Sequence, residues 1–117
     1  MPKPMREPTF WTLTALAGGP QHGYGVMREV SRLSGGQVTL LAGTLYTALD
    51  RLHAEGLVEV DREEVVDGRT RRYYRLSVCG TAALASESER LQRNAQTARQ
   101  QLYGRSAPTF EPGGSPA

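Results

Sequence analysis

The stretch GTLYTALDRLHAEGL, at residues 43–57, decides the fold, because its spacing predicts a short helix with two unlike faces. Leu45, Leu49 and Leu52 stand at i, i+4 and i+7, so they form one apolar stripe that is expected to pack in the core. The other face is small, hydroxylated, aromatic and charged rather than rich in Lys and Glu. Its members are Gly43, Thr44, Tyr46, Thr47, Asp50 and Arg51. This composition indicates close approach to another molecule, and an α-helix fits the major groove of DNA.

A basic hairpin is predicted shortly after this helix, with strands at residues 57–66 and 71–76. Asp67 and Gly68 between them form a strong turn signal. Residues 69–75 hold four arginines and no acid, whereas residues 57–68 hold five acids and one arginine. Two interpretations stay open for the arginines. Acids at 59–64 can pair across the strands with arginines at 71–75, or the arginines nearest the turn, Arg69 and Arg71, can contact DNA, with Arg72 as a further candidate. Tyr74 is expected in the core.

Three further helices are predicted around these segments, at residues 9–17, 24–33 and 77–103, with a brief strand or extended link at 38–40. Glycines follow the helix ends, as is typical of helix termination, and Ser77 can cap the last helix. The predicted fold class is mainly α with a small β-hairpin (α+β), in the order of a winged helix-turn-helix. The predicted regions are a flexible arm at 1–8, a DNA-binding domain at 9–76, a dimerisation helix at 77–103 and a disordered tail at 104–117, which is rich in Pro, Gly, Ser and Ala.

A partner subunit is expected on grounds of size and composition. A chain of 117 residues with 38% hydrophobic residues forms one domain with a lean core. The last predicted helix carries a seam with alternating spacings of three and four residues, as in a coiled coil. The small residues of this seam either allow close helix approach or leave room for an aromatic ligand. The candidate interface residues are Trp11, Ala15, Leu84, Leu91, Ala95, Ala98 and Leu102. Trp11 is expected at the interface rather than in the core, because it lies off the apolar stripe that Phe10, Leu13 and Ala17 form on the first helix.

Several functional classes are disfavoured by the sequence. The single cysteine, Cys79, fits a reducing compartment. No apolar run approaches the roughly 20 residues that span a bilayer, and the N-terminus lacks the apolar core of a secretory signal. A cytoplasmic protein without membrane contact is therefore expected. Two histidines and one cysteine offer no metal-ligand cluster, and no catalytic motif is present, so neither an enzyme nor a cofactor is predicted.

Three motifs resemble the PadR family of bacterial transcriptional regulators. They are HGYG at 22–25, GTLYTALDRLHAEGL at 43–57 and DGRTRRYYRLS at 67–77. The resemblance covers about residues 9–103, and the single C-terminal helix is similar to the smaller PadR subfamily. It implies a homodimeric repressor that binds an operator in double-stranded DNA. It also implies release by a small ligand, often aromatic or cationic, held near the dimer interface.

The candidate DNA-binding residues lie at the start of the second helix, on the third helix and at the hairpin tip. They are Tyr24, Gly43, Thr44, Tyr46, Thr47, Arg51, Arg69, Arg71 and Arg72. For Tyr24, packing and phosphate binding at a helix N-terminus stay open as alternatives. Asp50 departs from the family, whose members often carry a basic residue there, and Ala42 replaces a frequent proline. Asp50 and the net charge of only +2 favour the alternative function, a winged-helix protein–protein module without DNA affinity.

Overall fold

The computed structural model describes residues 4–104 and has four helices and three strands in that range. In chain order the elements are α1 (Glu7–Ala17), β1 (Gln21–His22), α2 (Gly23–Leu33), α3 (Ala42–Ala54), β2 (Val58–Val66), β3 (Arg69–Leu76) and α4 (Val78–Tyr103). The predicted fold class is confirmed. Of the two alternatives for residues 38–40, the strand is wrong and the link is present, since those residues have no regular structure. The helix α1 begins at Glu7, two residues before the predicted start. No described helix is long and apolar enough to cross a membrane.

The core lies among the first three helices and the sheet, and α3 supplies its centre. Leu45, Leu49 and Leu52 are fully buried, which confirms the predicted apolar stripe. The buried face of α1 differs from the predicted Phe10–Leu13–Ala17 stripe, because Ala17 is exposed and Phe10 only half-buried. The residues that α1 buries are Thr9, Thr12, Leu13, Ala15 and Leu16.

The C-terminus of α3 turns directly into β2 through a glycine in the left-handed conformation. Gly56 has a φ of +80°, which L-residues with a side chain rarely adopt. Its N–H donates to the His53 carbonyl at 3.1 Å, and the Leu57 N–H donates to the Leu52 carbonyl at 2.9 Å. These two bonds form a Schellman motif. Gly56 therefore ends the helix as predicted.

The sheet is antiparallel with the strand order β1-β3-β2, so β3 lies in the middle. Asp67 and Gly68 both have positive φ, 52° and 76°, as a two-residue type I′ hairpin turn requires. β3 begins at Arg69, two residues before the predicted start. Where the sequence predicts only a link, the structure has the strand β1. It pairs through Gln21 with Tyr74 and through His22 with Tyr73, and two residues are too few to show a strand period in the sequence.

The start of α4 is fixed against the connection between α3 and β2. The Ser77 hydroxyl donates to the Gly56 carbonyl at 2.6 Å and accepts from the Gly80 N–H at 2.9 Å, which confirms Ser77 as the predicted cap. The Ser77 N–H donates to the Leu57 carbonyl at 3.1 Å. A Cβ on Gly80 would overlap the carbonyl oxygen of Leu57. This junction therefore requires a residue without a side chain at position 80.

The described chain divides into two units within α4. Residues up to Glu87 form the compact unit that contains the sheet and the first three helices. In this unit the Met5 N–H donates to the Glu87 carboxylate at 3.3 Å. From Ser88 onward the second unit is helical to Tyr103 and its side chains are largely exposed. Residues 1–3 of the arm predicted at 1–8, and residues 105–117 of the tail predicted at 104–117, lie outside the described residues.

Replacement of Gly80 by Ala is expected to destabilise the fold. The added methyl group meets backbone, which cannot move as a side chain can, so we expect a loss of about 1–3 kcal/mol in the free energy of unfolding. Gly43→Ala is the matched control, since it also adds a methyl group to a helical glycine but meets nothing within 4 Å. It should leave stability unchanged or raise it by up to about 1 kcal/mol. Urea unfolding curves measure both, and equal stability of the two variants would contradict the proposed backbone contact.

Candidate nucleic-acid interface

A cleft of about 890 Å³ lies between the start of α2, the helix α3 and the tip of the β2–β3 hairpin. Five of the predicted DNA-binding residues line it, namely Tyr24, Tyr46, Arg69, Arg71 and Arg72. The other residues of its wall are His22, Gly23, Asp50, Val66, Asp67, Thr70 and Tyr74. The fold thus brings together residues that are up to 52 positions apart in the chain, from His22 to Tyr74.

Gly23 and Tyr46 form the floor of the cleft through a close contact between α2 and α3. A Cβ on Gly23 would meet the Tyr46 ring and hydroxyl group, so the ring lies directly over the glycine backbone. Tyr46 remains about half exposed, at 48%. The contact therefore holds the ring in place and leaves its outer side open to a bound molecule.

The N-terminus of α2 opens onto the same cleft. The residue before the helix, His22, makes no side-chain cap, and a helix N-terminus favours anions. Tyr24 is 61% exposed, which decides against its packing in the core. The guanidinium of Arg28 lies 5.6 Å from the Tyr24 ring centre. The start of α2 therefore presents hydrogen-bond donors and positive charge together.

The outer face of α3 carries the remaining predicted residues of this helix. Gly43, Thr44 and Thr47 are exposed and lie outside the cleft wall. Arg51 is also exposed, but its guanidinium donates to the Thr9 hydroxyl at 2.8 Å and lies 3.5 Å from the Glu55 carboxylate. Arg51 is therefore held toward the start of α1 at the margin of the surface.

The hairpin arginines divide into paired and unpaired members. Arg72 pairs with Glu63 at 3.1 Å, and Arg75 pairs with Glu59 at 2.9 Å and Asp61 at 3.1 Å. Both pairings cross the strands, as one of the two interpretations expects. The arginines at positions 69 and 71 form no ion pair with any residue between 4 and 104. Cross-strand ion pairs thus involve Arg72 and Arg75, while Arg71 lies opposite Glu64, which pairs with Arg62 instead.

The sheet face behind the tip carries a stack of three side chains. The Arg62 guanidinium lies 3.9 Å from the Tyr73 ring centre, and the His22 ring meets Tyr73 edge-on at 5.3 Å. Burial, and then the positive charges of Arg71 and Arg28, lower the pKa of His22. His22 is therefore neutral near pH 7. Arg71 and Arg28 thus oppose a positive charge on the His22 ring, whereas Glu64 favours it.

Sequence reasoning misses part of this site. The helical period places Arg28 one turn after Tyr24 on the outer side of α2, but its effect on the pKa of His22 depends on the tertiary structure. Gly23 gives no signal, because a close backbone approach depends on the partner helix. Tyr74 is 5% exposed and lies in the core as predicted. Among residues 4–104 no group of three or more potential metal ligands occurs, and Cys79 is exposed.

The sequence profile of the transcriptional regulator PadR-like family matches residues 12–86. A transcriptional regulator of Mycobacterium tuberculosis is 44% identical over 85 residues, which are 73% of this chain and 73% of that protein. The chain belongs to the PadR family of transcriptional regulators. The family resemblance of the three motifs is thereby confirmed.

Solved structures of PadR proteins share the fold at lower sequence identity. A PadR family transcription regulator from Clostridium difficile superposes with a TM-score of 0.69 at 20% identity, over 83% of this chain and 99% of that one. Bacillus subtilis PadR in complex with operator DNA superposes with a TM-score of 0.63 at 21% identity, over 69% of this chain and 46% of that one. The described part of this PadR chain therefore has the winged-helix architecture of these proteins.

The predicted dimer residues of this PadR protein fall into three groups. Ala15 is 4% exposed inside the core of the single chain, so its assignment to an interface is wrong. Leu84 and Trp11 are half-buried and pack against that same core, which leaves only part of each available to a partner. Four residues of the second unit are exposed along one helix face, namely Leu91, Ala95, Ala98 and Leu102.

The lowered pKa of His22 predicts a loss of stability in mild acid. Because the unfolded chain takes up a proton near the ordinary value of 6.5 and the folded chain resists it, the free energy of unfolding should fall as pH drops below 6.5. His22→Gln removes this titration, so the variant should lose less stability between pH 7 and pH 5.5 than the parent. Urea unfolding at the two pH values measures this. An identical loss in both proteins would contradict a lowered pKa.

Proposed function

We propose that this PadR-family protein binds double-stranded DNA in a sequence-specific manner through the outer face of α3 and the cleft beside it. The observation that carries the proposal is the pair of unneutralised arginines, Arg69 and Arg71, at a hairpin tip next to an exposed helix face. Free guanidinium groups contact phosphates, and an exposed helix flanked by them has the dimensions of the major groove. Bacillus subtilis PadR, which shares the fold, has been crystallised with operator DNA.

The proposed contacts are of two kinds: contacts to phosphates position the protein on DNA, and contacts to bases determine its sequence preference. Phosphates would bind Arg69, Arg71 and the open N-terminus of α2, where Tyr24 offers a further hydroxyl. Tyr46 would contact the sugar–phosphate backbone or a base through its exposed outer edge. Arg72 and Arg51 would contribute less, because Glu63 and Glu55 already neutralise them in part.

In this proposal the small residues of α3 contact the base edges. Gly43 allows the backbone to approach closely, since a side chain is absent and the space around it is open. The hydroxyl groups of Thr44 and Thr47 can donate to or accept from base edges. Both threonines are exposed. These three positions would therefore determine sequence preference together.

The competing function is a protein–protein module without DNA affinity, which the net charge of +2 favours. The local charge distribution argues against it. The acids of β2 form ion pairs with Arg62, Arg72 and Arg75, so Arg69 and Arg71 keep their guanidinium groups without an ion pair among residues 4–104. A gel shift on random DNA at several salt concentrations separates the two functions.

We further propose that the protein acts as a homodimer. The exposed face of α4 from Leu91 to Leu102 supports this, because four apolar side chains repeat there at spacings of four, three and four residues, as in a helix–helix seam. A dimer would place two copies of α3 in successive major grooves, about 34 Å apart. It would then recognise a nearly palindromic operator.

We also propose that the protein represses transcription and that a small effector releases it from DNA. A dimer on an operator near a promoter would block transcription in the cytoplasm. The family resemblance supports a small aromatic or cationic effector at the dimer interface, where the alanines of the seam leave space. Such a ligand acts only through a difference in affinity between the DNA-bound and free forms. A panel of aromatic cations added to the protein–DNA complex tests this, and an unchanged complex throughout would contradict it.

Replacement of Arg71 by Ala is expected to weaken binding to all DNA sequences. Without this guanidinium one phosphate fewer is neutralised and fewer counterions are released, so the slope of log K against log salt should fall by about one unit. Fluorescence anisotropy with a labelled duplex at four salt concentrations measures the slope.

Arg75→Ala is the matched control, since Arg75 lies on the same strand, beyond the hairpin tip, and is paired with Glu59 and Asp61. Its slope should equal that of the parent. If both variants lower the slope equally, the effect comes from net charge alone, and Arg71 makes no phosphate contact.

Replacement of Leu102 by Lys is expected to dissociate the dimer. The side chain is 71% exposed in the single chain, so the fold of the monomer should survive, while a buried like-charged pair would oppose association. Gln100→Lys adds the same charge on the opposite face of α4 and should leave the dimer intact. Sedimentation velocity of the three proteins measures the mass. A monomeric parent, or a dimeric Leu102→Lys variant, would contradict the proposed seam.

A further inference from the structure

Asp50 lies at the centre of the outward face of α3. It follows Thr47 by three residues and Gly43 by seven, so the three positions lie on one line along the helix. The leucine stripe faces the opposite direction and is fully buried. Asp50 is exposed and also lines the cleft with Tyr46 one turn earlier. Any duplex that contacts this face must meet the Asp50 side chain.

The carboxylate of Asp50 is free within the described chain. Among residues 4–104 it forms no hydrogen bond or ion pair, whereas Glu55 just beyond the same helix is paired with Arg51 at 3.5 Å. The hairpin acid Glu63 is likewise paired, with Arg72 at 3.1 Å. Asp50 therefore does not serve to hold an arginine of the hairpin in place, although Arg69 and Arg71 line the same cleft.

The chemistry of a carboxylate limits what it can meet on DNA. An ionised carboxylate only accepts hydrogen bonds, and the phosphates are negatively charged acceptors that repel it. In the major groove the donors are the amino groups of cytosine and adenine. Adenine presents the acceptor N7 beside its amino group, which repels the second carboxylate oxygen, while cytosine presents only the amino group.

We propose that Asp50 is a specificity-determining residue that accepts a hydrogen bond from the N4 amino group of a cytosine in the operator. This inference rests on the proposed DNA-binding function. Because it repels phosphates, the Asp50 carboxylate lowers the affinity for every DNA sequence. The hydrogen bond restores affinity only where the carboxylate meets a cytosine. Asp50 thus increases discrimination by weakening binding to wrong sequences.

The test selects bound sequences from a random pool of double-stranded DNA with the parent protein and three variants. Asp50→Ala should abolish a cytosine preference that the parent shows at one position of the bound sequence. Asp50→Asn should change that preference to adenine, because an amide matches the N6 and N7 groups of adenine. Glu89→Gln removes one negative charge from an exposed position of α4 and should leave all preferences unchanged.

Affinity measurements on individual duplexes give the magnitude of the discrimination between bases. The parent should bind the selected sequence about tenfold more tightly than the sequence with thymine at that position. Asp50→Ala should reduce this ratio to below about twofold and bind random DNA more tightly than the parent. Circular dichroism should show the same helix content in all four proteins, since the changed side chains are exposed.

Two results would overturn the inference while the proposed function stands. In one, the parent selects a sequence and Asp50→Ala leaves every positional preference unchanged. In the other, Asp50→Ala changes affinity equally on all sequences, which is the signature of charge repulsion alone. If the parent binds no DNA, the proposed function fails as well, and the two failures are thereby distinguished.

Discussion

The burial of the leucine stripe of α3 is the constraint on which the surface of this protein depends. Leu45, Leu49 and Leu52 are each fully buried, and burial of one such side chain stabilises the fold by about 1.5–3 kcal/mol. Rotation of α3 about its axis would expose them, so the rotation is fixed. Because the leucines face inward, Gly43, Thr47 and Asp50 face outward. The core thus determines which residues are available to a ligand.

The cleft also depends on the pairing of β1 with β3. Only two residues of β1 pair, yet they place the start of α2 next to the hairpin. The cleft exists because of this adjacency, which brings Tyr24 and Arg71 to one surface. The missing side chain of Gly23 allows α3 to approach and sets the Tyr46 ring on the floor. This two-residue pairing therefore positions the start of α2 at the cleft.

The pairing register of β2 and β3 determines which arginines of the hairpin form ion pairs. The cross-strand pairs place acids of β2 near Arg72 and Arg75, and the turn at the tip consists of Asp67 and Gly68. Arg69 and Arg71 consequently remain unpaired among the described residues, and the charge of Arg71 lowers the pKa of His22 together with burial and Arg28. A nearly neutral protein in this way presents two guanidinium groups without ion pairs on one surface.

The sequence alone determined the secondary structure wherever a local rule applies. The leucine period located α3, Asp67–Gly68 located the hairpin, and Gly56 and Ser77 marked helix ends, because each signal depends on backbone conformations within a few residues. It also located most of the candidate surface, since Tyr46 and the tip arginines lie on elements with clear periods.

Tertiary structure decided what depends on partners distant in the chain. It placed Ala15 in the core, added β1 to the sheet, brought Gly23 under Tyr46 and required glycine at position 80 against the Leu57 carbonyl. It also distinguished the paired Arg72 from the free Arg71. Burial, close backbone approach and ion pairing are properties of two segments in contact, and a one-dimensional pattern records only one of them.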